Sequence, residues 1–290
     1  MIKALVLDVD GVLVGEKVGY NSPNPHPVVI ERLKKIEASG IPIILCTGKP
    51  HYSIAAIIEG AQLKNPHITN GGSVVIDPID NNIVASYPIA PYLTQKILDA
   101  CLSHNLYTEL YSEQDYFLTK TQANVLTKTH AHVLQKDPVL VDSLMDIAAR
   151  NRIVKVMPIS DDESGIPGVE EILAPFAAEI STAWGLHPIA NPHQFCGITA
   201  KGISKRQTTL DVLSRLSVGQ EDVLGVGDSA SDWTYMELCG YTAAMENAQP
   251  GLLSLVGSRG EFGFIGGHVD VNGILSIFDH FHLPDSDTHP

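Results

Sequence analysis

Continuous apolar runs separated by amphipathic segments dominate both ends of the chain. Runs of mainly Leu, Ile and Val that lack a polar alternation predict strands buried on both faces. The strands predicted in this way are residues 3–9, 41–46 and 223–227, and further strands are predicted at 73–77 and 241–245. Helical periodicity predicts helices at 27–39, 51–60, 204–216, 231–239 and 272–281. Strands that alternate with helices predict a doubly wound parallel sheet.

The pattern changes after residues 77–82, a run of Asp, Pro, Ile and Asn that is typical of turns. The predicted elements then become short and mixed, with strands at 106–111, 114–119, 153–158, 179–183 and 193–199. The predicted helices among them are 91–104, one that begins at Asp137-Pro138, and 168–178. The fold class is therefore α/β, with a Rossmann-like core of doubly wound parallel sheet at 1–82 and 192–290. An inserted α+β domain interrupts it at 83–191.

Two carboxylates stand at the end of the first predicted strand. Asp8 and Asp10 are separated by one residue, and positions i and i+2 of a strand point to the same side. Open α/β sheets bind ligands at the carboxyl ends of their strands. Because two ionised carboxylates repel each other unless a cation or a shared proton intervenes, the pair predicts a reactive metal site rather than a simple Asp-Gly turn.

Two further predicted strands also end in polar residues. Thr47-Gly48-Lys49 offers a hydroxyl and an accessible backbone to an anionic oxygen. Asp228 and Asp232 follow the strand at 223–227 and supply the carboxylate oxygens that hard divalent cations prefer. Lys205 opens a helix, where a cation is unfavourable unless an anion lies nearby. Because the carboxyl ends of parallel strands share one edge, we expect these residues around one crevice.

Taken in chain order, these residues resemble the haloacid dehalogenase superfamily of aspartyl-phosphate phosphohydrolases. The segments similar to its four motifs are Asp8–Leu13, Thr47, Lys205 and Gly227–Asp232. The insertion lies where that superfamily carries a type II cap, and its mixture of strands and helices is similar to the Cof-type (IIB) cap. Thr69–Gly72 and Ala243–Ala248 are similar to further Cof-type segments, whereas Ser231 and Lys49 stand where many members have Asn and Arg.

The resemblance implies a set of roles for these residues. Asp8 would be the nucleophile and Asp10 the general acid and base. Mg²⁺ would be held by Asp8, the main-chain carbonyl of Asp10 and Asp228, with Asp232 supporting the metal loop. The implied phosphate-binding residues are Thr47, Gly48 and Lys205, and the implied substrate contacts are Lys49, Asn70 and Asn247. The implied reaction is Mg²⁺-dependent hydrolysis of a sugar phosphate or a phosphoglycolate-like acid.

Composition narrows the choice of partners. The formal net charge of −14, from 19 basic and 33 acidic residues, argues against a nucleic-acid or anionic-membrane surface. The four cysteines lack a Cys-x-x-Cys pattern, which indicates free thiols in a reducing compartment. The sequence shows no signal-peptide pattern and no apolar stretch near the roughly 18 residues that span a membrane. We expect a cytoplasmic protein with a small phosphorylated metabolite as its partner, and the sequence leaves a homodimer open.

Two alternative functions stay open on these residues. A phosphomutase of the same superfamily would use Asp8 and Asp10 in the same way. A non-catalytic metabolite-binding protein could use the same scaffold, although such proteins typically lose one of the acidic site residues.

The inserted segment adds weaker candidates. Lys120 and Lys128 could hold a second anionic group, although solvated lysines are commoner. His130 and His132 could share a strand face and bind a metal, although ordinary surface histidines are commoner. Tyr107, Tyr111 and Tyr116 could stack against a sugar or shape the pocket, although packing in a core or hairpin is commoner.

Overall fold

The structure is a computed structural model that describes residues 1–79 and 82–285. The strands, in chain order, are β1 (Ala4–Leu7), β2 (Ile43–Leu45), β3 (His67–Thr69), β4 (Val74–Asp77), β5 (Asn82–Ser86), β6 (Tyr107–Ser112), β7 (Tyr116–Thr119), β8 (Val139–Val141), β9 (Ile153–Ser160), β10 (Ile180–Leu186), β11 (Gln194–Ala200), β12 (Val223–Gly227), β13 (Tyr241–Ala244) and β14 (Gly263–Ile265). The α-helices are α1 (Pro27–Ala38), α2 (Ala55–Ala61), α3 (Pro91–Ser103), α4 (Val125–Leu134), α5 (Leu144–Arg150), α6 (Ile166–Leu173), α7 (Lys205–Leu216), α8 (Ala230–Met236), α9 (Pro250–Gly257) and α10 (Ile274–His280).

A five-stranded parallel sheet in the order β14-β13-β12-β1-β2 forms the core and confirms the predicted α/β fold. Every residue of β1 is buried, because helices cover both faces of the sheet. Helices α1, α2 and α10 contribute to the apolar cluster on one face. Helices α7, α8 and α9 contribute to the cluster on the other face. The central position of β1 places its carboxyl end between those of β12 and β2.

A second sheet has six strands in the order β10-β11-β9-β6-β7-β8. Helices α3, α5 and α6 pack with one apolar cluster of this sheet. Another cluster joins residues of β6, β9 and α4 to Val74 and Ile76 of β4. A small antiparallel sheet, β3-β4-β5, thus connects the core to the six-stranded sheet. This packing holds the six-stranded sheet against the core. The strand predicted at 73–77 is β4 of the small sheet, so its expected place in the parallel sheet is wrong.

The prediction that a helix begins at Asp137-Pro138 is wrong. Residues Val139–Val141 form β8 instead, which pairs in parallel with β7. The two β-branched residues of this short run suit an extended strand. Helix α5 begins later, at Leu144, after Ser143 accepts a hydrogen bond from the amide of Asp146.

The strand interpretation of His130 and His132 is also wrong, because both lie in α4. Asn124 and Thr127 cap this helix reciprocally, each side chain accepting from the other residue's amide. His130 is buried and contacts the Glu109 carboxylate, so it is not a surface residue. Helix α9 and strand β14 were not predicted from the sequence.

The expected division into a core at 1–82 and 192–290 and an inserted domain at 83–191 stays a prediction, and the sheet pairings near its boundaries bear on where they lie. Strand β5 pairs with β4, so residues 82–86 continue the small sheet beside the core. Strand β11 pairs with β9 and β10, so residues 194–200 belong to the six-stranded sheet. We therefore keep the division into a core and an inserted unit as a proposal, with boundaries after Ser86 and after Ala200.

Several simpler expectations also have an outcome. All four cysteines are free and buried. Among the described residues, helices are too short or too polar to cross a bilayer. The C-terminal tail was predicted to be loose, but its residues 286–290 lie outside the described part of the chain.

Candidate active site at the strand ends

Three carboxylates meet where β1 and β12 end. Asp8 follows β1, and Asp228 follows β12. One oxygen from each of Asp8, Asp228 and Asp232 lies within 4.8 Å of the others. Gly11 makes room for this approach, because a Cβ built there would lie 2.0 Å from the Asp228 carboxylate. The sequence prediction that distant acidic residues converge at one sheet edge thus agrees with the geometry.

The cluster is electrostatically costly without a cation. Burial, and then the charge of Asp232, raises the pKa of Asp8 to about 7. Burial, and then the charges of Asp232 and Asp8, raise the pKa of Asp228 well above its usual range. A divalent cation would relieve this repulsion, and the oxygen donors are those that Mg²⁺ prefers. The residues present therefore fit a hard metal ion.

Asp232 organises the loop that carries Asp228. Its Oδ2 accepts hydrogen bonds from the amides of Asp228 and Ser229 at 3.1 and 3.0 Å. The Ser229 hydroxyl donates to the same oxygen at 2.8 Å, within a capping box at the start of α8. These contacts hold the loop that carries Asp228 in place.

Lys205 balances part of the negative charge. Its Nζ donates to Asp8 Oδ1 at 3.0 Å and to Asp232 Oδ1 at 2.7 Å. Burial alone would lower the pKa of Lys205, but Asp232 and Asp8 outweigh burial and raise it well above the usual value. Lys205 is therefore a fixed cation beside Asp8. A Cβ at Gly72 would lie 2.5 Å from the Ser204 carbonyl, so this glycine allows the start of α7 to approach the site.

The side chain of Asp10 lies in a different environment from that of Asp8. Its Oδ1 is 2.6 Å from Lys49 Nζ and 3.2 Å from His187 Nε2. Burial alone would raise the pKa of Asp10, but Lys49 and then His187 outweigh burial and hold it well below the usual range. His187 follows β10 of the six-stranded sheet, and sequence reasoning missed it. A single histidine in a loop carries no local signal that it will contact Asp10.

The segment after β2 supplies neutral and cationic groups. Thr47 Oγ1 accepts a hydrogen bond from the Lys49 amide at 3.1 Å, which closes a tight turn. Lys155 of β9 donates from Nζ to the Gly48 carbonyl at 2.9 Å. Sequence reasoning also missed Lys155, because its place beside Gly48 depends on how the two sheets pack.

The two asparagines expected to contact substrate differ in their surroundings. Asn70 is buried at a φ of 51°, and its side-chain amide has no hydrogen-bond partner among the described residues. Asn247 donates to the Gly11 carbonyl at 2.9 Å and accepts from the Val269 amide at 3.0 Å. Asn70 therefore has free donors and an acceptor for a ligand, whereas Asn247 braces the loop after β1.

One cavity of about 650 Å³ brings most of these groups together. The predicted site residues that line it are Asp8, Asp10, Thr47, Gly48, Lys49, Asn70, Lys205, Asp228 and Asn247. Residues of the six-stranded sheet and its loops form the facing wall, including Lys155, Trp184 and His187. A larger groove of about 1200 Å³ lies along α3 and α6 and contains none of the predicted site residues. The smaller cavity is the candidate active site, because the carboxylates and buried cations converge there.

Comparison with known proteins gives a consistent picture. The model of the haloacid dehalogenase-like hydrolase family matches residues 5–257. The 5-amino-6-(5-phospho-D-ribitylamino)uracil phosphatase YwtE of Bacillus subtilis is 22% identical over 265 residues, covering 85% of this chain and 88% of the relative.

Solved structures share the fold over nearly the whole chain. A haloacid dehalogenase-like hydrolase from Bacteroides thetaiotaomicron matches with a TM-score of 0.80 and 18% identity, covering 97% of this chain and 100% of that one. The HAD subclass IIB sugar phosphatase BT4131 matches with a TM-score of 0.77, 18% identity and the same coverage, 97% and 100%.

Proposed function

This chain belongs to the haloacid dehalogenase-like hydrolases and is a phosphatase of the Cof type, and we propose that it hydrolyses a small phosphorylated metabolite in a Mg²⁺-dependent reaction through an aspartyl-phosphate. The observation that carries the proposal is the placement of Asp8. Its carboxylate lies in the cavity, within reach of both the Asp228 carboxylate and the Lys205 ammonium. A buried nucleophile next to cations suits attack on an anionic phosphorus centre.

The metal would act at the carboxylate cluster. Asp8, Asp228 and the main-chain carbonyl of Asp10 would hold Mg²⁺, which supplies positive charge where two anions must approach each other. Lys205 contributes a further positive charge beside Asp8. Thr47 and the Gly48 backbone lie on the same cavity wall and would bind the non-bridging phosphate oxygens as charge spreads over them.

In the first half of the reaction, an Asp8 oxygen attacks phosphorus while the bond to the leaving oxygen breaks. Asp10 would give a proton to that leaving oxygen. Lys49 and His187 favour the carboxylate form of Asp10, and the approach of an anionic substrate shifts the balance back towards the protonated form. In the second half, the Asp10 carboxylate would take a proton from a water whose oxygen attacks phosphorus. The bond between phosphorus and the Asp8 oxygen breaks, inorganic phosphate leaves, and the Asp8 carboxylate is restored.

The inserted unit would define the substrate. Trp184, Met157 and Phe195 line the cavity from that side and exclude water from the leaving group. YwtE, a relative by sequence, acts on a phosphorylated ribitylamino compound, and BT4131 is a sugar phosphatase. These names support a phosphorylated small molecule as the substrate class of this chain.

The direct test measures phosphate release from p-nitrophenyl phosphate with and without Mg²⁺. We expect Asp8→Asn, which keeps the side-chain shape, to lower kcat by a factor of about 1,000 or more. Asp142→Asn is the matched control, because this aspartate is exposed and pairs only with Lys120 in the described structure. Equal activity of Asp8→Asn and wild type would remove Asp8 from the nucleophilic role.

The same assay separates the two alternative functions. Sustained phosphate release without a phosphorylated activator favours the phosphatase over a phosphomutase. Absence of turnover by wild type with p-nitrophenyl phosphate and a panel of sugar phosphates would favour the metabolite-binding protein.

A further inference from the structure

The buried cations of this acidic protein are concentrated at one place. In the described part of the chain, the buried Lys and Arg side chains are Arg32, Lys49, Lys155 and Lys205. All three lysines among them line the candidate active-site cavity. The whole chain has a formal net charge of −14, and Asp8, Asp10 and Asp228 line the same cavity, so the three buried lysines stand among carboxylates. A lysine that no carboxylate there pairs with is then available to an anionic ligand.

Lys155 differs from the other two lysines in its partners. Lys49 pairs with Asp10, and Lys205 pairs with Asp8 and Asp232. Lys155 makes no ion pair with any described carboxylate. Its Nζ donates to the neutral Gly48 carbonyl at 2.9 Å and lies 3.9 Å from the centre of the Tyr111 ring.

These neutral contacts leave the Lys155 ammonium incompletely satisfied. An ammonium has three N–H donors, of which the Gly48 carbonyl and the Tyr111 ring face occupy two. A buried charge that lacks a counter-ion is costly, and this cost is relieved when an anion binds. Burial lowers the pKa of Lys155 to about 7, and the charge of Glu109 offsets this effect only in part.

Glu109, the acid whose charge acts on Lys155, is already hydrogen-bonded to other groups. Glu109 is fully buried and accepts a hydrogen bond from the Tyr111 hydroxyl at 2.5 Å. Its other oxygen lies 2.9 Å from His130 Nδ1. These contacts hold the Tyr111 ring in place beneath Lys155, so the ammonium is positioned rigidly at the cavity wall.

We propose that Lys155 binds a second anionic group, a carboxylate or a second phosphate, on the leaving group of the phosphorylated substrate. The inference rests on the proposed function, because it assigns a contact to the substrate of that reaction. Gly48 adjoins Thr47, so Lys155 lies next to the proposed phosphate-binding segment, and it enters the cavity from the six-stranded sheet, which would enclose the leaving group. The neighbouring wall contains Met157, Trp184 and Phe195, which offer no competing cation.

The sequence candidates for this task are less suitable. Lys120 is exposed and pairs with Asp142, and Lys128 is exposed on α4. Neither lines the cavity.

The test is calorimetric binding to Asp8→Asn protein in the presence of Mg²⁺. The first ligand pair is 3-phosphoglycerate and glycerol 3-phosphate, which share a three-carbon skeleton and differ by a carboxylate in place of a hydroxymethyl group. The second pair is fructose 1,6-bisphosphate and fructose 6-phosphate, which tests a second phosphate. In at least one pair, we expect the ligand with two anionic groups, 3-phosphoglycerate or fructose 1,6-bisphosphate, to bind roughly tenfold more tightly than its partner. The pair that shows this preference identifies the second anion as a carboxylate or a phosphate.

Adding Lys155→Met should reduce that preference to about twofold or less, since the charge-assisted contact is lost. Lys155→Gln removes the charge while keeping an N–H donor for Gly48, and it provides the same comparison should the methionine variant fold poorly. Lys120→Met is the control, because this exposed lysine directly follows β7 of the same six-stranded sheet but lies outside the cavity. It should leave the preference unchanged.

Two results would overturn the proposal. One is equal affinity within both ligand pairs for the Asp8→Asn protein that retains Lys155, and the other is a preference that survives Lys155→Met. A purely structural role for Lys155 would weaken both members of a pair equally and leave their ratio unchanged, which also overturns it. Turnover of p-nitrophenyl phosphate by wild type separates the two proposals. Turnover without an anion preference contradicts only the Lys155 site, whereas preference without turnover contradicts only the hydrolase.

Discussion

The Lys205 ammonium is the contact that allows Asp8 and Asp232 to be buried side by side. Lys205→Met keeps the length of the side chain and removes the charge. We expect a fall in kcat of about 100-fold or more, because a cation beside the reacting phosphate is lost. We also expect a loss of about 3–5 kcal/mol in the free energy of unfolding, because two buried carboxylates lose their partner.

Steady-state kinetics and urea denaturation measure the two effects of Lys205→Met. Lys201→Met is the control, since its exposed Nζ donates only to the Ala177 carbonyl in the described structure. A variant as stable as wild type without Mg²⁺ would contradict the ion-pair account of Lys205.

The raised pKa of Asp8 makes the effect of Mg²⁺ on stability depend on pH. A carboxyl whose pKa rises from near 4 to about 7 on folding binds more protons when folded, so its contribution to stability falls as the pH rises between those values. Mg²⁺ requires the ionised carboxylate, and its stabilising effect therefore grows over the same range. We expect the difference in Tm between Mg²⁺ and EDTA to be larger at pH 8 than at pH 5.5.

At a Mg²⁺ concentration about 100 times its Kd, the stabilisation should approach 2.7 kcal/mol. Asp228→Asn should remove most of this increment at pH 8, and Asp142→Asn should keep it. An increment that is independent of pH would argue that Mg²⁺ binds away from the Asp8 cluster.

At the scale of elements, the turn after β3 must approach the start of α7 closely. Gly72 has a φ of 106°, and a Cβ there would meet the Ser204 carbonyl at 2.5 Å. The adjacent Gly71 has a φ of 70°, but a Cβ built on Gly71 would have no neighbouring atom within 4 Å. We expect Gly72→Ala to lower the free energy of unfolding by at least about 2 kcal/mol and Gly71→Ala by about 1 kcal/mol, since only the first adds a clash to the backbone strain.

Urea denaturation of the two glycine variants provides the comparison. Gly72→Ala should also reduce activity, because the clash displaces Lys205 at the beginning of α7. Equal stability of the two variants would show that α7 can shift without cost.

The elements also show what the sequence could and could not predict. Asp8 and Asp228 were predicted together because each directly follows a fully apolar strand, and the geometry of a parallel sheet brings such strand ends to one edge. His187 and Lys155 were not predicted, because they reach the site only through packing of the six-stranded sheet against the core. The helix boundary near Pro138 failed for a local reason, since cap and proline signals there compete with the strand preference of Val139–Val141.

At the scale of the whole molecule, the site is complete only when the six-stranded sheet rests on the core. Asp10 and Gly48 belong to the core, and their partners His187 and Lys155 belong to the other sheet. Any motion between the two parts would therefore separate Asp10 from His187 and open the cavity to water. The contacts that hold the parts together then influence substrate affinity from a distance.

A small set of hydrogen bonds joins the end of α4 to the core away from the carboxylates. Ser53 donates from its hydroxyl to the Leu134 carbonyl at 2.8 Å. Asn24 and Gln135 exchange two side-chain hydrogen bonds, each 3.1 Å long. Asn24→Ala and Ser53→Ala together remove these bonds, each of which is worth about 0.5–1.5 kcal/mol. We expect the double variant to favour an open arrangement, in which the six-stranded sheet has moved away from the core.

We expect the double variant to raise KM for p-nitrophenyl phosphate by up to roughly tenfold, because only the closed fraction binds substrate tightly. At saturation kcat should change less, since bound substrate restores closure and the catalytic residues are intact. Ser39→Ala is the control, because that hydroxyl, directly after α1, donates to the Ile36 carbonyl of the same helix. An unchanged KM would mean that packing alone holds the sheet in place, and a parallel fall of kcat and Tm would point to damage of the core instead.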